Sequence, residues 1–274
     1  MLTLERRDQI MEVLRKNKTA TVKHLAGMLY VSEATVRRDL AEMETLGLLR
    51  RTHGGAVFFE NSQSEPSVLV RMEQNAGAKQ VLATLCLPLI EHANAIFMDS
   101  SSSAHYLAIA WKPGRATVFT TGLGTALHFA RFPQVRVMIP GGEVQYHTDS
   151  VEGSTTLSQL GRFFVDVMVC SCGGVGDDGR VTESTDAQCA IKQEMCKRAQ
   201  KRILLADHTK LGRHRPFLIG DIGAFDVLVT DEKPNEALLQ RCRESGVQVL
   251  YADGNTLGTV AVGEAGQPRF DGQK

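Results

Sequence analysis

"SEATVRRDL", residues 32–40, is the stretch on which the reading of this chain turns. Val36, Leu40 and Met43 recur at the spacing of one apolar helix face, and Ser32 stands where an N-cap is wanted, its hydroxyl able to take a free backbone N–H. At about 100° per residue, with Val36 inward, Arg38 points almost directly outward between Ala34 and Ala41, with Thr35 and Arg37 on its shoulders. That outer face is small, polar and cationic. Small residues let a helix approach a groove closely. Arginine can bind guanine O6 and N7 with two hydrogen bonds or clamp a phosphate, and threonine can meet a thymine methyl or a phosphate. The alternative is a solvated face whose arginines pair with Glu33 or Glu42.

Working outward, Ile10, Val13 and Leu14 give one face of a helix over residues 4–17, and Val22, Leu25, Ala26 and Leu29 give another capped by Thr21. Each helix is one-sided, so the three must share a small core. Only Tyr30 and Val31 separate the second helix from the Ser32 cap, which forces a sharp crossing, the helix-turn-helix arrangement. Downstream, "LGLLRRTHGGAV" offers Gly47 to end the third helix in a left-handed turn. Two short strands then follow around a tip holding His53, Gly54 and Gly55. They form a wing from which Arg51 and His53 can reach a phosphate or the minor groove; a hairpin with no ligand is the plain alternative.

Charge agrees with an anionic partner for this head. The chain carries 31 Lys/Arg and 31 Asp/Glu, yet residues 1–58 hold ten of the former and seven of the latter, which leaves the rest mildly acidic. At 274 residues the chain has length for a small domain joined to a medium one. No apolar run approaches a membrane span, and "MLTLERRDQI" is charged where a secretory signal would be apolar, so a cytoplasmic protein with no membrane partner is expected. The six cysteines form no Cys-x-x-Cys pair and read as reduced thiols; no residue set calls for a metal or a cofactor.

The run "TVKHLAGMLYVSEATVRRDLAEMETLGLLRRTHGGA" resembles the winged helix-turn-helix of the DeoR family of bacterial transcriptional regulators. The marks are Ser32, Thr35, Val36, Arg37, Arg38, Asp39 and Leu40, then Arg51, His53, Gly54, Gly55 and Ala56. The resemblance implies a DNA-binding domain over residues 3–58, with its helix-turn-helix at about 20–39. The DNA-facing set is Ser32, Thr35, Arg37, Arg38, Arg51, His53, Gly54 and Gly55.

Residues 59–75, polar and containing Pro66, read as a linker into a helix over about 79–91. Beyond it the runs "AIFM", "TVFTT", "VRVMIP", "VDVMVCSC", "RILLAD", "FDVLVTD" and "VQVLYAD" alternate with helical patterns. Continuous apolar strands interleaved with helices imply a mostly parallel, doubly wound α/β domain over 76–255, with 256–274 as a C-terminal tail. Strand ends carry Asp99 and four serines, Thr120–Thr121–Gly122, Gly141–Gly142, and Asp207–His208–Thr209–Lys210. Such loops converge at the carboxyl edge of a doubly wound sheet, where hydroxyls, amides and a lysine suit a phosphate on a polyol; loop-forming and capping roles are the plain alternative. Gly174-Val175-Gly176-Asp177-Asp178-Gly179 fits a dinucleotide fingerprint, but two aspartates would face a pyrophosphate and "DDGR" reads as a turn.

More loosely, this half resembles DeoR-type effector domains, which are similar in fold to ribose-5-phosphate isomerase. The likeness rests on "DSSSS", "TTGLG", "GGEVQ" and "LADHTKLGR". It implies an effector site of Asp99, Ser100, Ser101, Ser102, Thr120, Thr121, Gly122, Gly141, Gly142 and Lys210. Asp99 would hold a sugar hydroxyl, while Ser100 to Ser102, Thr121 and Lys210 hold phosphate. Gly122 stands where the family often has Asn, Gln145 where it has Arg, Gly176 where it has Asp, and Gln188 where it has Glu. The expected protein is therefore a non-enzymatic regulator, a repressor of a carbohydrate-related operon. Its partners are an operator of double-stranded DNA, a phosphorylated sugar or related effector, and further copies of itself. A sugar-phosphate isomerase with a DNA-binding head needs a base near a carbon-bound proton, and Gly176 and Gln188 are not acids. A DNA-binding head on a ligand-free oligomerisation domain is the third reading.

Overall fold

The computed structural model describes residues 3–45, 49–57, 68–146, 148–253 and 256–260. It divides into two compact units, Met1–Gln74 and Asn75–Lys274.

In the first unit the order is α1 (Thr3–Asn17), β1 (Thr19–Thr21), α2 (Val22–Leu29), α3 (Glu33–Thr45), β2 (Arg50–Thr52), β3 (Gly55–Val57) and α4 (Val68–Glu73). The three expected apolar stripes meet: Ile10 and Leu14 of α1, Leu25 and Leu29 of α2, and Val36, Leu40 and Met43 of α3 share one core. Thr21 caps α2 by accepting the His24 N–H at 3.1 Å, and Ser32 Oγ accepts the Thr35 N–H at 3.1 Å. Tyr30 closes α2 in the left-handed conformation at φ 52°. The expected strand pair is present, and β1 joins it through β3 in a three-stranded antiparallel sheet, so the wing is stitched to the start of α2. Gly47 lies outside the described residues. Within the stretch read as a linker, α4 forms a short helix.

The second unit runs α5 (Ala76–Ile90), β4 (Ala95–Met98), α6 (Ser102–Ala110), β5 (Ala116–Thr120), α7 (Leu123–Phe129), β6 (Val135–Met138), β7 (Glu143–Gln145), β8 (Ser150–Glu152) and α8 (Ser154–Leu160). It continues with β9 (Val165–Ser171), β10 (Gly174–Val175), β11 (Arg180–Glu183), α9 (Asp186–Lys197), β12 (Ala199–Leu205), β13 (Phe217–Asp221), β14 (Val227–Thr230), α10 (Glu236–Glu244), β15 (Gln248–Asp253) and β16 (Thr256–Val260). The main sheet has the order β16-β15-β14-β12-β9-β4-β5-β6. Seven of its strands, those expected from the sequence, are parallel; β16 is antiparallel to β15.

Successive residues of the strands feed opposite layers. Val167 and Val169 pack with Leu82, Cys86, Leu107, Trp111 and Phe129 from α5, α6, the end of α6 and α7. Met168 and Cys170 pack instead with Leu160, Ile191, Met195 and Leu238 from α8, α9 and α10. Burial on both faces is why these strands read as unbroken apolar runs. The doubly wound α/β expectation holds. The tail reading of 256–274 needs correction, because residues 256–260 are a strand that takes up the hydrogen-bonding edge of β15.

The chain enters at β4, builds outward through β5 and β6, then returns to β9 on the other side of β4 and builds the opposite way. The direction of winding therefore reverses between β4 and β9. Loops leaving these strands part in opposite directions, which opens a crevice at their carboxyl ends.

Candidate DNA interface and effector site

On α3 the core side is sealed by an ion pair. Asp39 is buried and its carboxylate receives Arg6 of α1 in a fork, Nε at 2.5 Å and Nη2 at 3.1 Å, with Arg7 Nε at 3.7 Å. Hydrogen bonding to Asp39 raises the Arg6 guanidinium above its ordinary value despite an opposing effect of burial. The outer side is open. Arg37 pairs with Glu33 one turn earlier at 2.7 Å, as the solvated-face reading anticipated for one of the arginines. Arg38 is exposed and has no hydrogen bond or ion pair to any of the described residues. Ser32 and Thr35 share a hydroxyl–hydroxyl contact of 2.9 Å at the start of α3.

Across the hairpin Arg51 pairs with Ala56, and its backbone N–H donates to Glu44 Oε1 at 2.8 Å. His53 and Gly54 form the exposed two-residue tip. Gly55 differs from the DNA-facing expectation. It is buried opposite Thr21 and Thr52, and a Cβ there would collide with the Ala20 carbonyl, so its glycine serves the close approach of β1.

In the second unit the crevice between β4 and β9 collects most of the expected residues. Asp99 lies at its floor, fully buried. Oδ1 accepts the Ser101 N–H at 3.1 Å and the Ser101 hydroxyl at 2.6 Å, while Oδ2 accepts the Ser171 N–H at 3.1 Å and lies 3.5 Å from Lys192 Nζ. This corrects the expected role. With both oxygens engaged inside the protein and the side chain fully buried, Asp99 braces the β4 loop against β9. Ser101 also caps α6 by accepting the Ala104 N–H at 3.1 Å. The N–H groups of Ser102 and Ser103 remain as the open start of that helix. Ser100 donates to Gln188 Oε1 at 3.2 Å.

Thr120 Oγ1 accepts the Gly122 N–H at 3.0 Å, a turn-making bond rather than a ligand contact. Thr121 is buried and its hydroxyl has no partner among the described residues. A Cβ on Gly122 would press on the Ser100 backbone, so glycine there lets the β4 and β5 loops lie together. Gly141 and Gly142 lie between β6 and β7. They are exposed and support the corner between β7 and α8, where Gln159 Oε1 accepts the Gly141 N–H at 2.8 Å and Thr156 donates to the Gly141 carbonyl at 2.9 Å. A side chain at Gly142 would collide with Thr156 and the Glu152 carbonyl.

Lys210, on a single 3₁₀ turn after β12, donates to Ser171 Oγ at 2.6 Å and lies 3.8 Å from Asp207 Oδ2. Burial would raise the Asp207 carboxyl, but Lys210, hydrogen bonds from Thr209 and the more distant Lys79 bring it below its ordinary value. Next to it His208 Nδ1 lies 2.6 Å from Asp231 Oδ2. That hydrogen bond raises the imidazole above its usual value, and His208, Asp231 and Glu232 bring three ligand atoms within 4.8 Å of one another.

Sequence reading noted Gln188 only as a departure from the family pattern and missed the other buried partners of this crevice. Lys192 of α9 bonds Glu183 of β11, and Gln188, one turn earlier, reaches Ser150 Oγ at 3.2 Å and the Glu152 carboxylate. The signal was there: Gln188, Lys192 and Met195 fall on one helical stripe with the apolar Ile191. The glycine-rich 174–179 segment is strand β10 and the turn of the antiparallel β10–β11 hairpin, as "DDGR" suggested.

The comparisons agree with this geometry. Residues 6–62 match the model of the DeoR-like helix-turn-helix domain, and residues 74–232 match that of the DeoR C terminal sensor domain. The chain is 30% identical over 254 residues to the HTH-type transcriptional regulator GolR of Listeria innocua, which covers 92% of this chain and 100% of that protein. It is 26% identical to the HTH-type transcriptional repressor GlcR of Bacillus subtilis, covering 91% and 96%. Among solved structures, ribose 5-phosphate isomerase A of Methanocaldococcus jannaschii is similar over 50% of this chain and 55% of that one, at 11% identity and a TM-score of 0.36. Among the described residues no helix is long and apolar enough to cross a membrane. With a three-helix head ending in a wing, a doubly wound sensor unit and family matches to both, the chain belongs to the DeoR family of HTH-type transcriptional regulators.

Proposed function

We propose that this regulator is a repressor of a carbohydrate-related operon, released from or locked onto its operator by a phosphorylated sugar. The observation that carries the DNA half is the outward Arg38, without a partner among the described residues, on a helix whose inner carboxylate, Asp39, is tied to α1. Thr35, Arg37 and Ser32 lie beside it, and Arg51, His53 and Gly54 extend the contact along the wing. The effector half rests on the winding reversal: the open N–H groups at the start of α6, Thr121 and Lys210 supply hydrogen-bond donors around one crevice beside Ser100, as a phosphate requires. Asp99, Glu183 and Asp207 are all engaged by neighbouring donors, which supports binding rather than proton abstraction. One recognition helix reads few base pairs, so the working form carries at least two heads on related half-sites.

Arg38→Ala is expected to weaken operator binding by roughly 1 to 3 kcal/mol without loss of fold; unchanged affinity in a gel-shift titration would remove Arg38 from the interface. A thermal-shift panel of phosphorylated sugars tests the sensor. Lys210→Met should then weaken the response by about 1.5 to 3 kcal/mol, while operator affinity without effector stays the same. An equal effector response in both proteins would reduce Lys210 to a brace for Ser171 and Asp207.

A further inference from the structure

Glu152, at the end of β8, is 7% exposed and has no cationic partner among the described residues. Its Oε1 accepts from three neutral donors: Ser150 Oγ at 2.8 Å, Thr148 Oγ1 at 3.3 Å and the Gln188 amide. No bond from a described residue reaches Oε2. A buried carboxylate without a counter-charge is costly, and neutral hydrogen bonds recover only part of its lost hydration. The other buried acids of this unit, Asp99, Glu183 and Asp207, each have a lysine within 4 Å. Glu152 is the exception.

Its position gives the exception a use. Gln188 joins Glu152 to Ser100 of the crevice, donating to the one and accepting from the other. The β8 backbone is bonded to the β5 loop, with the Val151 N–H donating to the Thr121 carbonyl at 2.8 Å and Gly122 bridged to Ser150. Thr121, on that loop, carries a buried hydroxyl with no partner among the described residues. A neutral amide at position 188 is also what this pairing needs, since a second carboxylate there would face Glu152 directly.

We propose, resting on the phosphorylated-sugar reading of the crevice, that Glu152 is a specificity residue for an effector bearing a protonated amine as well as a phosphate. The class is an amino-sugar phosphate. Lys210 and the start of α6 take the phosphate, and the ammonium supplies the counter-charge that Glu152 lacks. No covalent step is involved.

The test uses matched probes on the full chain: glucosamine 6-phosphate against glucose 6-phosphate, and galactosamine 6-phosphate against galactose 6-phosphate. Within at least one pair the amine should bind tenfold or more tightly by calorimetry. Glu152→Gln, which keeps shape and hydrogen-bonding capacity, should bring the two members of that pair within threefold and raise the melting temperature of the free protein. Equal binding within both pairs by the wild type, or a preference that survives in Glu152→Gln, would overturn the assignment. If none of the four binds, nor any other phosphorylated sugar of the panel, the sugar-phosphate reading itself fails and this proposal with it. Binding only of amine-free phosphorylated sugars leaves that reading standing and refutes the proposal.

Discussion

Lys192→Met should destabilise the sensor unit by about 3 to 5 kcal/mol, the largest effect expected of any single change described here. The Lys192 ammonium is enclosed with two carboxylates, bonded to Glu183 and 3.5 Å from Asp99. Methionine fills most of the stem's volume, so packing changes little while two buried acids lose their cation. The pH dependence gives the loss a signature. Burial alone would raise the Glu183 carboxyl; Lys192 overrides it and, with the Ser184 N–H, holds Glu183 below its ordinary value. A depressed carboxyl contributes stability that is complete above its unfolded pKa, near 4.3, and disappears as pH falls through the folded value. In the variant the acids are relieved by taking up protons, so the gap between wild type and variant should narrow from pH 7 toward pH 4. Urea titrations followed by Trp111 fluorescence measure both. Coincident curves at pH 7 would mean that the triad contributes nothing net, and adding Glu183→Gln should recover part of the loss.

In the DNA-binding unit the corresponding change is Asp39→Ala, with an expected cost of roughly 3 kcal/mol. The forked bond to Arg6 ties the recognition helix to α1, and removing it leaves a half-buried guanidinium without its acceptor. A unit this small has little stability in reserve. Operator binding should therefore fail through loosening of the helix, unlike in Arg38→Ala, where the helix stays and the contact goes. Amide hydrogen exchange on the full chain separates the two: α1 and α3 amides should lose protection in Asp39→Ala and keep it in Arg38→Ala. Full protection in Asp39→Ala would show that the apolar core alone holds α3 in place.

The difference between these positions marks what sequence could and could not reveal. The direction of Arg38 follows from helical geometry around Val36, and the seven parallel strands announce themselves because both faces of each are apolar. Strand β1 has three residues, two of them threonine, and exists only because β3 offers it an edge. The hairpin of β7 and β8, the small β10-β11-β13 sheet and β16 likewise depend on pairing rather than on a local apolar period. At the site, loop composition picked out Ser100, Thr121 and Lys210. It could not tell that Asp99 is consumed by Ser101, Ser171 and Lys192, because that follows from which strands become neighbours. Glu152 was hidden for the same reason: it is an ordinary charged residue until folding places it among others.

The winding reversal between β4 and β9 also bears on how the protein is made. Asp99 and Ser171, which bond across it, are 72 residues apart in the chain. The first half-sheet can form on its own local connections, but the crevice has only one wall until β9 returns. Long-range pairings of this kind are slow to form because the intervening loop must close before any contact rewards it. A nascent chain halted after β6 would thus be compact yet blind to its effector. Responsiveness would come late in synthesis, with the central pair of strands.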